Sequence, residues 1–185
     1  MLECVSPDDW EDHALIPGLP PPKGEKSWSL GQRFRNPPEN PIVLELKADY
    51  GIQLNEFDNT DSLLMTQRLY RTLTDAGVDN LDAYPTVIRH PGRKFETTEY
   101  LACNLVGIVA GVDLAASQVS GGSEDGLIDV DFESVTLDPK RIGGLLMFRL
   151  VENTSAVMIH RRVKEYLESK GFSQLMFVDP AEWIG

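Results

Sequence analysis

The residues with the most chemical promise lie in one acidic run, residues 121–131, where Glu124, Asp125, Asp129 and Asp131 surround a turn at Gly126. Read as a strand from Leu127 to Phe132, the run places Asp129 and Asp131 on one face and Ile128 and Val130 on the other, because side chains alternate along a strand. Paired carboxylates can move protons, or they can clasp lysine and arginine. Acidic groups around a glycine can also hold calcium. Setting Gly126 at the invariant glycine of an EF-hand, however, puts Gly121 at the first ligand position and Phe132 at the last. Neither supplies a carboxylate, so an EF-hand is excluded and only an irregular weak site stays open. No nucleophile or cofactor signature accompanies the pair, which favours docking over catalysis.

Other reactive residues are scattered. His13, His90 and His160 fall in three separate segments, none spaced three or four residues from another His or Cys, so no helical metal site is written locally. Cys4 and Cys103 form no CxxC and read as two reduced thiols. Residues 18–27 imitate a phosphate loop, but the spacing is wrong and Pro20, Pro21 and Pro22 remove backbone donors that such a cradle needs. There is no Gly-x-Ser-x-Gly elbow and no His-Glu-x-x-His. The expectation is a protein with no catalytic residues, no metal and no cofactor.

Charge points the same way. The 185 residues carry a formal charge of -12. Residues 1–14 hold Glu3, Asp8, Asp9, Glu11 and Asp12; residues 113–138 hold Asp113, Glu124, Asp125, Asp129, Asp131, Glu133 and Asp138; neither stretch has a Lys or Arg. These twelve carboxylates equal the whole excess, so the acidity is local. Such a surface repels nucleic acid and anionic membrane and speeds encounter with a basic protein. The expected partner-binding residues are therefore Asp8, Asp9, Glu11, Asp12, Glu124, Asp125, Asp129 and Asp131. The densest basic patch, Arg161, Arg162 and Lys164, lies beside Glu165 and Glu168 without interleaved aromatics, which disfavours nucleic-acid binding.

The elements that must position these groups follow from pattern. Eight prolines within residues 1–41 predict an extended arm, with Trp10, Trp28 and Phe34 as anchors. Beyond it, residues 42–185 read as a single α+β domain with a mixed or mostly antiparallel sheet. Ile42–Leu46 and Leu145–Val151 predict strands. Apolar residues at Leu64, Met65, Leu69 and Leu73 predict a helix within Asp61–Ala76, stopped at Gly77 and followed by a strand ending at Pro85. A shift of 94 residues superposes Leu69 on Val163, Leu73 on Leu167, Gly77 on Gly171 and Leu81 on Leu175. This suggests two related strand–helix–strand units, about 61–85 and 155–179, through duplication or chance. Tyr100–Leu114 reads as buried strand or buried helix. The N-terminus lacks the basic and apolar regions of a signal peptide, and the longest apolar stretch, Leu105–Val112, is eight residues, too short to span a bilayer. A cytoplasmic protein is expected.

The order and spacing of several of these features resemble the bacterial immunity-protein family numbered eleven, from polymorphic toxin systems. The carrying residues are Leu69, Leu73, Ala76 to Leu81, Tyr84-Pro85, Tyr100-Leu101, Asn104 to Gly107, Val112-Asp113, Ser117, Leu146 to Leu150, Arg161 to Lys164 and Lys170 to Phe172. The resemblance implies a small α+β binder that neutralises a cognate secreted toxin inside the producing cell, with type VI secretion as an expected export route. It implies a basic nuclease domain as partner, since an acidic inhibitor suits a basic substrate site. No catalytic residues carry over, and two related halves favour a monomer when free. Two other readings remain: an enzyme that reverses a toxin's modification through the Asp129/Asp131 pair, and a cytosolic regulatory adaptor.

Overall fold

The computed structural model describes residues 1–4, 12–60, 62–120 and 130–185. In chain order its elements are β1 (Leu2–Cys4), β2 (Ile42–Glu45), β3 (Phe57–Asp58), β4 (Leu63–Thr66), α1 (Gln67–Asp75), β5 (Leu81–Arg89), β6 (Glu96–Thr97), β7 (Tyr100–Leu105) and β8 (Ile108–Val109). There follow β9 (Gln118–Val119), β10 (Phe132–Ser134), α2 (Pro139–Ile142), β11 (Met147–Leu150), β12 (Val157–Ile159), α3 (Arg161–Ser169), β13 (Leu175–Phe177) and a 3-10 turn at Pro180–Glu182. The class is α+β with mostly antiparallel sheets, as the pattern predicts.

The main sheet runs β2-β5-β7-β4-β3, with β6 also on β5; β2 and β5 are parallel and the other pairs antiparallel. Its two faces carry different covers. Leu63, Met65, Leu81, Cys103 and Leu105 face a core shared with Leu69 and Leu73 of α1 and Val163 and Leu167 of α3. Leu44, Leu64, Tyr84, Ile88, Tyr100 and Ala102 face Leu19, Trp28 and Phe34 of the proline-rich segment. Alternation along β4 and β7 thus feeds both layers, so these strands are apolar on both sides. Trp28 donates from Nε1 to Pro20 O (3.1 Å). Its ring meets Phe34 edge-on at 4.8 Å and Tyr84 at 5.8 Å. Full burial of such side chains contributes about 1.5–3 kcal/mol each, enough to hold an extended segment without a ladder of its own. Trp10 lies outside the described residues.

Two expectations change, and one open alternative is settled. The predicted helix within Asp61–Ala76 begins only at Gln67; Leu64 and Met65 belong to β4, which is paired on both sides and so buries consecutive residues. Thr66 marks the switch: its Oγ1 accepts from Leu69 N (3.1 Å) and caps the helix. The strand predicted to end at Pro85 runs on to Arg89. Pro85 pairs with Leu101 on one side, and β2 joins the other side only from Thr86, so no partner there calls for an N–H at Pro85. Tyr100–Leu105 is strand.

A second sheet, β12-β11-β8, is tied to the first by Asn80, whose Nδ2 donates to Val106 O (2.8 Å) and Met147 O (2.9 Å). β1 pairs antiparallel with β13. Shifting α1 by 94 residues lands on α3, β4 on β12 and the start of β5 on β13. The helix stops correspond too: Gly77 has φ 98° and Gly171 φ 77°, the left-handed geometry that glycine supplies. The units also touch reciprocally. Arg68 lies over the Phe172 ring at 3.9 Å and donates to Lys170 O (2.8 Å). Its counterpart Arg162 stands 3.5 Å from where a Cβ on Gly77 would be.

A candidate partner-docking ribbon

Residues 112–120 run out and residues 130–138 return beside them. Val112 and Leu137 bridge antiparallel, and Asp113 N donates to Thr136 O (2.8 Å). Ser117 Oγ donates to Asp113 O (2.7 Å) and accepts from Thr136 N (2.9 Å). β9 and β10 pair Val119 with Phe132, with an irregularity at Glu133. The inward side chains Val130, Phe132 and Val135 are buried with Val112, Phe148, Leu150 and Trp183 in a third core. This anchoring leaves Asp113, Asp131 and Glu133 exposed together with Leu114 and Val119. Among the described residues none of these three carboxylates is in an ion pair, whereas Asp138 is held by Arg141 (3.3 Å). A surface of unpaired carboxylates with two solvated aliphatic groups suits a basic protein better than a small molecule.

The ribbon rests on a buried polar layer that the sequence pattern did not single out. Glu152 Oε1 accepts from Val112 N (3.3 Å), and Glu152 O accepts from Val130 N (2.9 Å). Asn153 Nδ2 donates to Val130 O (3.2 Å), and Arg149 Nη1 to Thr154 O (2.5 Å). Desolvation pushes the Arg149 guanidinium down to about 10, which leaves it cationic at neutral pH. Both ends of the ribbon are thus clamped by the segment after β11. The signal in the sequence was the charged pair inside an apolar run, Arg149 and Glu152, since charges in such positions need partners.

Of the eight expected binding residues, Asp12 and Asp131 can be placed. Asp8, Asp9, Glu11, Glu124, Asp125 and Asp129 lie outside the described residues, as does the Asp129 half of the carboxylate pair. Asp131 is exposed between buried Val130 and Phe132, and its carbonyl accepts from Ser120 N (2.9 Å). Asp12 is exposed elsewhere: its carbonyl accepts from Gln53 N (3.1 Å), and the chain passes so near Gly51 that a Cβ there would collide with it. Among the described residues no hydrogen bond or strand pairing joins Asp12 to Asp131. The first acidic stretch does begin near the ribbon, because Glu3 Oε1 accepts from Trp183 Nε1 (3.1 Å) and Trp183 packs on Phe132 at 6.3 Å.

Each histidine has a structural employment. His13 bridges to Gln53. His90 is buried; its Nδ1 accepts from Gly92 N (3.0 Å), which leaves Nε2 to donate to Tyr50 O (3.3 Å). His160 Nδ1 caps α3 through Arg162 N (3.2 Å). Burial pushes the Cys103 thiol well above its usual range, so it is no nucleophile at neutral pH. Among the described residues no group of three or more His, Cys, Asp or Glu is placed to hold a metal, and no helix is long and apolar enough to cross a membrane.

Comparison with known proteins adds a family. The model described as Immunity protein family (Imm11) matches residues 6–182, nearly the whole chain. No curated protein matches it.

Proposed function

The chain belongs to the Imm11 immunity protein family, and on that premise we propose that it binds and neutralises a cognate toxin, a basic nuclease domain, in the cytoplasm of the cell that makes both. The observation that carries the reading is the family match across residues 6–182. Protection works by occupation rather than by chemistry: the partner's positive surface meets the ribbon carboxylates Asp113, Asp131 and Glu133, and Leu114 and Val119 add apolar contact. Charge of this kind acts first on encounter and orientation. The free protein is a monomer, its two units already packed on each other.

The test is co-purification with the product of the adjoining gene, followed by a nuclease assay with and without this protein. Stoichiometric inhibition is expected, with association slowing about tenfold or more between low and moderate salt, as exposed charges are screened. Inhibition by catalytic amounts of protein would instead favour an enzyme, and salt-independent association would remove the electrostatic part of the reading.

A further inference from the structure

Among the described residues the outer edge of β9 is bare, because β9 pairs with β10 alone. Phe132 of β10 turns its main-chain groups away from β9: its N donates to Gly185 O, and its O accepts from Gly185 N (3.1 Å). Val119 stands opposite Phe132, so its own N–H and C=O turn the other way, out of the ribbon. The next residue, Ser120, turns inward and donates from N to Asp131 O (2.9 Å). No described group meets the Val119 N–H or C=O, and its side chain is 50% exposed. Proteins guard such an edge with Lys or Pro. Here Gln118 and Ser120 flank it, both exposed and uncharged.

We propose that an extended segment of the partner toxin adds to this edge as a strand, antiparallel to β9. The inference rests on the immunity reading above and names the element by which the toxin is held. The toxin residue opposite Val119 exchanges two main-chain bonds with it, accepting from Val119 N and donating to Val119 O. Alternation then sets the chemistry of the segment. That residue lies on the Val119 face and is apolar. Its two neighbours lie on the face of Gln118 and Ser120, where Asp131 stands one strand further in, at a spacing of about 4.8 Å. A Lys or Arg stem laid across β9 reaches it, and Glu133 is exposed on the same strand as Asp131. The local balance favours a basic segment. Residues 112–120 and 130–138 contain no Lys or Arg. The elements that carry the ribbon bring the Met1 ammonium, Lys140, Arg141 and Arg149, but also Glu3, Asp138, Glu152, Asp179 and Glu182. Arg141 is held by Asp138 (3.3 Å), and Arg149 is buried. The expected occupant reads basic–apolar–basic.

The outward N–H supplies the variant that tests this. Val119→Pro removes a donor that the free protein does not use, and an edge strand tolerates proline where its N–H faces out. Val119→Ile keeps the donor and the apolar side chain. With the purified toxin domain from the adjoining gene as probe, calorimetry is expected to read a Kd weaker by about tenfold or more for Val119→Pro. Val119→Ile should bind as the unmodified protein does, and all three free proteins should melt alike. In the unmodified protein, exchange of the Val119 amide is expected to slow about tenfold or more on complex formation. That measurement decides the matter should the proline variant not fold or the two readings disagree. If both variants bind equally well and the Val119 amide does not slow, strand addition is overturned while the immunity reading stands. If the unmodified protein does not bind the toxin at all, both fall.

Discussion

Between β4 and β5 the chain makes a helix whose first N–H is satisfied by Glu99 and whose C-terminal glycine is crowded by Leu146 and Arg162. Ninety-four residues later it makes a helix of equal length whose first N–H, among the described residues, meets no acceptor and whose glycine, Gly171, has none of them within 4 Å of a would-be Cβ. The buried stripes match: Leu69 and Leu73 in one, Val163 and Leu167 in the other, all at 0% exposure. The comparison separates two levels of specification. Side chains that face the common core set the element. What is laid across its ends is set by other segments: the residues 98–99 turn covers the start of α1.

The largest effects test the shared level. Leu73→Ala and Leu167→Ala each open a cavity in the same core, and each is expected to cost about 2–5 kcal/mol in urea-induced unfolding. Values differing by more than the spread of such sites would show that the two helices do not carry equal parts of it. A smaller effect tests the reciprocal contact. Arg68→Ala removes the stacking on Phe172 and the bond to Lys170 O, for an expected loss of about 1–2 kcal/mol. Arg162→Ala is expected to lose less, since Arg162 has no hydrogen bond of that kind among the described residues. A reversed order would break the comparison. The smallest effect belongs to the first unit's sheet. Tyr100 Oη donates to Asn55 O (3.0 Å), and burial pushes its pKa up to about 12. A raised folded-state value means that the unfolded chain loses the proton first. Stability is therefore fully present below about pH 10 and falls as pH rises toward 12. Denaturant midpoints from pH 9 to 11.5 should show the decline, and Tyr100→Phe should reduce it.

Much of the fold was legible because periodicity reports burial directly. Leu69 and Leu73 with Gly77 announced a helix and its stop, and Ile42–Leu46 a strand. Leu64 and Met65 misled because a strand buried on both faces shows no alternation, and two adjacent apolar residues fit a helical stripe as well. Pro85 misled because its harmlessness depends on where β2 joins, a fact about another segment. The ribbon's acidity was legible as local charge density. Its support was not, because Glu152 and Asn153 act on backbone groups of Val112 and Val130, and a side-chain pattern carries no record of which distant main chain it will meet. The open end of α3 was invisible for the same reason: it exists only by contrast with the turn that closes α1.

The pairing of β1 with β13 also has a meaning in time. Leu2 of β1 pairs with Phe177 of β13, far along the chain. During synthesis β1 cannot pair with β13 until residues 175–177 have left the ribosome. Residues 12–105 hold the main sheet and α1 and can condense earlier, but the ribbon stands on a core that includes Met1 and Trp183. A half-made chain therefore lacks the surface assigned to toxin capture.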